Sequence, residues 1–199
     1  MAFFKIRVPE SLKTEFTRKA IHLLIGVSPT LAAFDRTFTI ILLFSGTALY
    51  IVLEVLRFSG RTVPLFSAVS ARASRERDKG RFILGPVTLG LGAAGALLFY
   101  TPLAAALGIY AVAFGDSAAS LAGYFGRLRP RFLRGKSLEG TLACFLAVLL
   151  IGYRLSPHAA LPAALAAACV EALPLKDFDN IAIPLATGLF SLFPLNFFP

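Results

Sequence analysis

Cysteine is nearly absent from this chain. The two that occur, Cys144 and Cys169, lie inside apolar runs with no CxxC spacing and no neighbouring histidine. They read as small buried hydrophobes and carry no signal about redox compartment. Acid is scarce too, with 11 Asp and Glu against 20 Lys and Arg. The opening segment MAFFKIRVPESLKTEFTRK has no continuous apolar core and no small-residue cleavage site. A cleaved signal peptide is therefore not expected, and the first apolar segment serves as its own insertion signal. Apolar residues are what the chain has in plenty: 57% of 199 residues, with a mean hydropathy of +0.75. That excludes an ordinary soluble domain. The expectation is an all-α polytopic membrane helix bundle, a single domain over 1–199 with 1–18 as a cytoplasmic N-terminal segment.

Windows near the roughly 20 residues needed to cross a bilayer predict about seven spans: Ala20–Phe34, Phe38–Leu56, Ile83–Tyr100, Leu103–Phe125, Thr141–Leu155, Ala159–Leu173 and Ile181–Phe198. Pro29, Pro86, Pro162 and Pro184 fall inside or near the ends of spans, where each removes a backbone hydrogen bond and invites a kink. Ala111, Gly115, Ala119 and Gly123 recur every four residues, a small-residue face that lets helix backbones approach closely in lipid. The fourth span is thus expected to be central, with Asp116 beside its packed face.

Basic residues assign the sides. The segment before the first span holds five, the loop after the second span seven (Arg57 to Arg81), the loop after the fourth five (Arg127 to Lys136), and the loop after the sixth holds Lys176. Only Arg36 and Arg154 remain for the opposite side. Lys and Arg collect on the cytoplasmic side of membrane proteins, so the N-terminus is expected in the cytoplasm and the C-terminus outside.

Three acids interrupt otherwise apolar runs: Glu54, Asp116 and Glu171. An ionised carboxylate at mid-helix costs about 2.5–3.5 kcal/mol on insertion scales, so such residues are usually kept for chemistry or transport. A structural carboxylate neutralised inside the bundle is the plainer account of any one of them. Their common placement argues against it for all three. With the topology above, Glu54, Asp116 and Glu171, together with His22, Gly85, Ser137, Glu139 and Asn180, converge on the cytoplasmic membrane boundary, while the outer loops are short and plain. A carrier needs polar groups along a path to both sides; an enzyme joining a soluble reagent to a lipid needs them where the phases meet.

The loop GRLRPRFLRGKSLEG aims Lys136, backbone N–H groups and a positive helix end at an anion, which suits a phosphate. Its spacing is not that of a Walker A loop. Arg129, Arg131 and Arg134 equally suit the positive-inside rule or contact with anionic lipid heads. LPLKDFDNIAIP supplies Asp177, Asp179 and Asn180, oxygen ligands of the kind that hold Mg²⁺ on a nucleotide.

Several blocks in order carry a family resemblance: Arg18-Lys19-x-x-His22, Glu54-x-x-Arg57, Leu84-Gly85-Pro86, Gly115-Asp116-x-x-Ala119-x-x-x-Gly123-x-x-Gly126, Lys136-Ser137-x-Glu139-Gly140, Glu171-x-x-Pro174 and Asp179-Asn180-x-x-Ile183-Pro184. From about Arg18 to Pro184 the chain resembles the CTP-dependent lipid kinases (dolichol kinase, phytol and farnesol kinases, the CTP-dependent diacylglycerol kinase), which are distantly similar to phosphatidate cytidylyltransferases. The resemblance implies transfer of the γ-phosphoryl group of CTP to the hydroxyl of a membrane lipid alcohol, with Mg²⁺, and implies no nucleic-acid partner. It leaves the alcohol and the oligomeric state open.

On this expectation Asp116 orients the hydroxyl or binds Mg²⁺, and Asp179 and Asn180 complete the metal site. Lys136, Ser137 and Gly140 cradle phosphate, with Arg77, Lys79 and Arg131 as further nucleotide contacts. Glu139 pairs with Lys136 or holds metal. His22, Glu54, Arg57 and Glu171 support, with Glu54 and Arg57 as a structural ion pair three residues apart on one helical face. A cytidylyltransferase-like reaction and a small carrier using the intramembrane carboxylates stand as alternatives. A bacterial inner membrane is the expected location.

Overall fold

The computed structural model describes residues 10–61, 63–74, 78, 80–133 and 135–193, and all regular structure among them is helical. In chain order the helices are α1 (Glu10–Ile25), α2 (Ser28–Phe34), α3 (Arg36–Phe58), α4 (Pro64–Ala73), α5 (Gly85–Phe99), α6 (Pro102–Tyr110), α7 (Asp116–Phe125), α8 (Leu138–Leu155), α9 (Pro157–Glu171) and α10 (Asp179–Ser191). A π-helical segment, Ala111–Gly115, joins α6 to α7 without a break.

Local chemistry explains the boundaries. Proline stands in the first two positions of α2, α4, α5, α6 and α9, where its missing N–H would have no intrahelical partner. Asp35 caps α3 by accepting a hydrogen bond from the Phe38 amide (2.9 Å), and Ser137 caps α8 by accepting from Gly140 (3.0 Å); both satisfy orphan donors at helix starts. At the far end of α5 the Arg36 guanidinium donates to the carbonyls of Leu97 and Tyr100, closing a C-terminus that its own helix cannot.

Among the described residues three helices are long and apolar enough to cross a membrane: Arg36–Phe58, Pro102–Phe125 and Leu138–Leu155. They differ in surroundings. The central window of Pro102–Phe125 is 67% buried, against 17% and 22% for the other two, so the fourth predicted span is the hub and α3 and α8 present long apolar faces outward. The first predicted span is not continuous: α1 stops at Ile25, and α2 restarts at Ser28 with Pro29 in its first turn. The fifth, expected to be short, belongs to the 18-residue α8. The loop after the second span contains α4, which the sequence reading left as loop.

Glycine and alanine set the interhelix distances. A Cβ on Gly108 would stand 2.3 Å from the Pro184 carbonyl oxygen, and one on Gly92 2.1 Å from that of Asn180. In both cases the obstacle is backbone, so α6 and α5 approach α10 as closely as hydrogen side chains allow. Gly115 does the same against Cys144 and Val148 of α8. Gly108→Ala is expected to force α6 from α10 and to cost about 1–3 kcal/mol, the usual range for overpacking, read as a lower Tm in detergent. Gly46→Ala, where an added Cβ meets nothing within 4 Å, is the matched control and should show no loss.

Candidate active site

Asp116 is delivered by the π-helical turn that precedes it. Such a turn holds one residue more than an α-turn and shifts the helical register, and π-turns recur at functional sites. Here α7 starts at Asp116, and the side chain points to α1, where Lys19 and His22 stand three residues apart on one face. All three are buried. Lys19 Nζ donates a short hydrogen bond to Asp116 Oδ2, and His22 Nδ1 lies 3.1 Å from the same oxygen without the alignment of a hydrogen bond. Two charges so deep are tolerated because each neutralises the other; removing one partner of such a pair typically costs about 3–5 kcal/mol.

A second ion pair faces the first. Lys136 Nζ is 2.8 Å from Glu171 Oε1 and 4.0 Å from Asp179 Oδ2. The Thr141 hydroxyl donates to the other Glu171 oxygen at 3.0 Å. Asp116 and Asp179 both border the space between the two ion pairs, and a cation there would offset both carboxylates. Asn180, adjacent and fully buried, spends its amide on the Gly85 carbonyl and the Thr88 hydroxyl, each at 3.1 Å, and so ties α10 to the start of α5.

Between these pairs opens a polar cavity of about 520 Å³. Asp116, Lys136, Ser137, Gly140, Glu171, Asp179 and Asn180 all line it, which brings together residues up to 64 positions apart in the chain. Lining it as well are Arg18, Lys19, Arg129 and Lys176, cations that the sequence reading did not assign to the site. Lys176 adopts φ +57°, a left-handed conformation uncommon for a residue with a Cβ and often found where backbone geometry serves a site.

Several expected contributors have other positions. The Ser137 hydroxyl is engaged as the α8 cap. Glu139 neither pairs with Lys136 nor lines the cavity; Oε1 accepts the amides of Arg127 and Leu128 at 2.8 and 3.0 Å, folding the basic loop back on α8. Arg129, not Arg131, reaches the cavity, held by the carbonyls of Gly135 (2.6 Å) and Gly123 (2.7 Å). Arg131 is exposed on a 3₁₀ turn. Glu54 and Arg57 form a bidentate pair at 2.6 and 2.7 Å, and Glu54 also accepts the Ile83 amide at 2.8 Å. That pair pins the segment before α5 to the end of α3, away from the cavity. Arg77 and Lys79 lie outside the described residues.

The donor set suits a divalent cation brought in with phosphate. Mg²⁺ usually takes one or two carboxylates, with substrate phosphates and water filling the remaining positions. Asp116 and Asp179 meet that requirement. Among the described residues no group of three or more His, Cys, Asp and Glu forms a dedicated cage. Five cationic and four acidic side chains line the cavity, a balance too even to hold a polyphosphate unless a cation accompanies it.

Comparison with known proteins adds a distant relative. Over 178 residues the chain is 29% identical to an uncharacterized protein of Methanocaldococcus jannaschii, covering 85% of this chain and 88% of the relative. No family model matches, and no solved structure matches.

Proposed function

We propose that this protein is a CTP-dependent lipid kinase that phosphorylates the hydroxyl of a membrane lipid alcohol at the cytoplasmic membrane face. The observation that carries the reading is the polar cavity in which Lys19, Asp116, Lys136 and Asp179 meet at one end of an otherwise apolar bundle. Below Asp116 the interior holds Val112, Ile109 and Ala105, all essentially inaccessible. A carrier would need polar groups there, so the arrangement favours an enzyme over a conduit.

Phosphoryl transfer asks a protein for positioning and charge neutralisation more than for covalent chemistry. The nucleotide phosphates occupy the cavity, with Lys136 at the start of α8 and Arg18 and Lys176 around the rim neutralising phosphate oxygens. Asp116 and Asp179 would hold the Mg²⁺ that accompanies CTP, whose charge would offset that of the phosphates. The lipid hydroxyl attacks the γ-phosphorus, the bond from that phosphorus to the β-bridging oxygen breaks, and CDP leaves. The hydroxyl proton passes to the Asp116–His22 pair. Lys19 holds Asp116 in place.

The topology belongs to the same reading: seven spans, formed by α1–α2, α3, α5, α6–α7, α8, α9 and α10, with the N-terminus and the basic loops in the cytoplasm. In a cysteine-free background, Cys placed at Arg131 should label only after the inner face is opened, and Cys placed at Ser156 should label from outside. Labelling at 131 in intact cells would overturn the orientation.

The decisive assay uses purified protein in mixed micelles with CTP, Mg²⁺ and a prenyl alcohol or diacylglycerol. CDP and phosphorylated lipid should appear in equal amounts, with ATP a poor donor. Pyrophosphate in place of CDP would move the assignment to cytidylyl transfer. No nucleotide consumption with any lipid alcohol would reopen the carrier alternative.

A further inference from the structure

A second cavity, about 240 Å³ and almost wholly apolar, lies between α1, α3, α4 and α5. Its upper wall includes Arg18, which also lines the polar cavity, and His22, whose Nδ1 is 3.1 Å from Asp116. Below it a third cavity of about 250 Å³ runs on between α1, α3 and α5. Ile21, Tyr50, Pro86 and Leu89 line both, so the two adjoin along one apolar groove of α1, α3 and α5. On α3 it extends from Tyr50 to Leu42, eight residues or about 12 Å along the helix axis. Gly46, midway, lines the third cavity without a side chain, and a Cβ there would meet nothing within 4 Å.

Polar groups mark the upper end. The Ser70 hydroxyl is buried and makes no hydrogen bond, and His22, whose Nδ1 is turned to Asp116, lines the apolar cavity beside it; both residues are more than nine-tenths inaccessible. Buried polar atoms are ordinarily satisfied, and here a ligand with one polar group at the head of an apolar chain would satisfy the Ser70 hydroxyl. Such a molecule would lie with its chain in hydrocarbon surroundings and its head beside Asp116.

We propose that the acceptor alcohol binds in this groove, its chain between α1, α3 and α5 and its hydroxyl at the end bordered by Arg18 and His22, where the groove adjoins the polar cavity and the hydroxyl can meet the phosphoryl group directly. The inference rests on the kinase reading above for the identity of the reaction, and its test does not depend on catalysis. In this arrangement the lipid reaches the site sideways from the bilayer and the nucleotide from the aqueous face.

The probe is a long-chain primary alcohol carrying a diazirine on its chain, photolysed with the full-length protein in mixed micelles and mapped by mass spectrometry. Crosslinks are expected at 21–25 of α1, 42–50 of α3 and 86–90 of α5. Excess unlabelled alcohol should suppress them; the corresponding methyl ether, which cannot donate a hydrogen bond, should do so poorly. Gly46→Leu fills the groove, and because it clashes with nothing and favours the helix its fold should survive, as thermal unfolding will report. Leu replaces several chain carbons, so labelling and affinity for the alcohol should fall at least about tenfold. Leu42→Trp provides the same obstruction at a half-exposed position should Gly46→Leu be poorly produced. In turnover, either variant should raise the KM for a long-chain alcohol more than that for CTP, and affect a short-chain alcohol least.

Groove labelling that Gly46→Leu blocks supports the proposal even in a protein that consumes no CTP, in which case the kinase reading fails and the groove stands. Labelling spread over the outward faces of α3 and α8 and insensitive to competing alcohol means annular lipid contact only and overturns it. Phosphorylation of long-chain alcohols undiminished in both obstructed variants overturns it as well.

Discussion

Asp116→Asn is expected to lower turnover by at least about 100-fold, the low end of what a positioned proton acceptor contributes. The substitution keeps size and shape but removes the charge that Lys19 balances, so it also tests the fold. With one buried charge left unpaired in each, the Lys19 cation in Asp116→Asn and the Asp116 carboxylate in Lys19→Met, the two variants should each destabilise by about 3–5 kcal/mol, and the double variant by less than the sum because neither charge is then stranded. Activity separates the two roles: the double variant should regain stability and remain inactive. Turnover within a few-fold of wild type in Asp116→Asn, in protein that extracts as a monodisperse species, would return Asp116 to a structural role. Lys19→Arg should preserve the charge and lose the geometry, because a planar guanidinium does not fit where a single ammonium donates to one oxygen.

Neutralising Lys136 is the second large effect. Lys136 bridges Glu171 and Asp179, and the charge it meets grows as the phosphoryl group transfers. Lys136→Met should therefore reduce kcat more than it raises the KM for CTP. Initial-rate kinetics across CTP concentrations decides: a pure KM effect would make Lys136 a uniform binding contact. Arg131→Ala, exposed and outside the cavity, should stay within a few-fold of wild type on both parameters.

The helices themselves were legible in the sequence, because apolar windows bounded by Pro, Asp35 and Ser137 carry their own start signals. The hub role of Pro102–Phe125 was legible for a related reason: a stripe of small residues predicts close packing irrespective of its partner. The break at Gly26–Val27, helix α4 and the π-turn before Asp116 were not. Each depends on what the neighbouring helices leave room for. A ten-residue helix in a basic loop has little periodic signal, and a π-turn differs from an α-turn by one residue that composition does not mark.

Side-chain partnerships divide in the same way. Glu54 and Arg57 are three apart on one helix, so their pairing follows from helical geometry alone. Lys19 and Asp116 are 97 positions apart, and no local pattern links them; the contact exists because α1 packs against the π-turn. Ser137 and Glu139 sit in a phosphate-like motif, yet one caps α8 and the other anchors the loop backbone, which only the path of that loop reveals. Residue chemistry alone determined that the chain is helical and strongly apolar. The tertiary structure decided which charges face one another across a cavity, and that an open groove lies behind His22, since both follow from how helices distant in sequence approach.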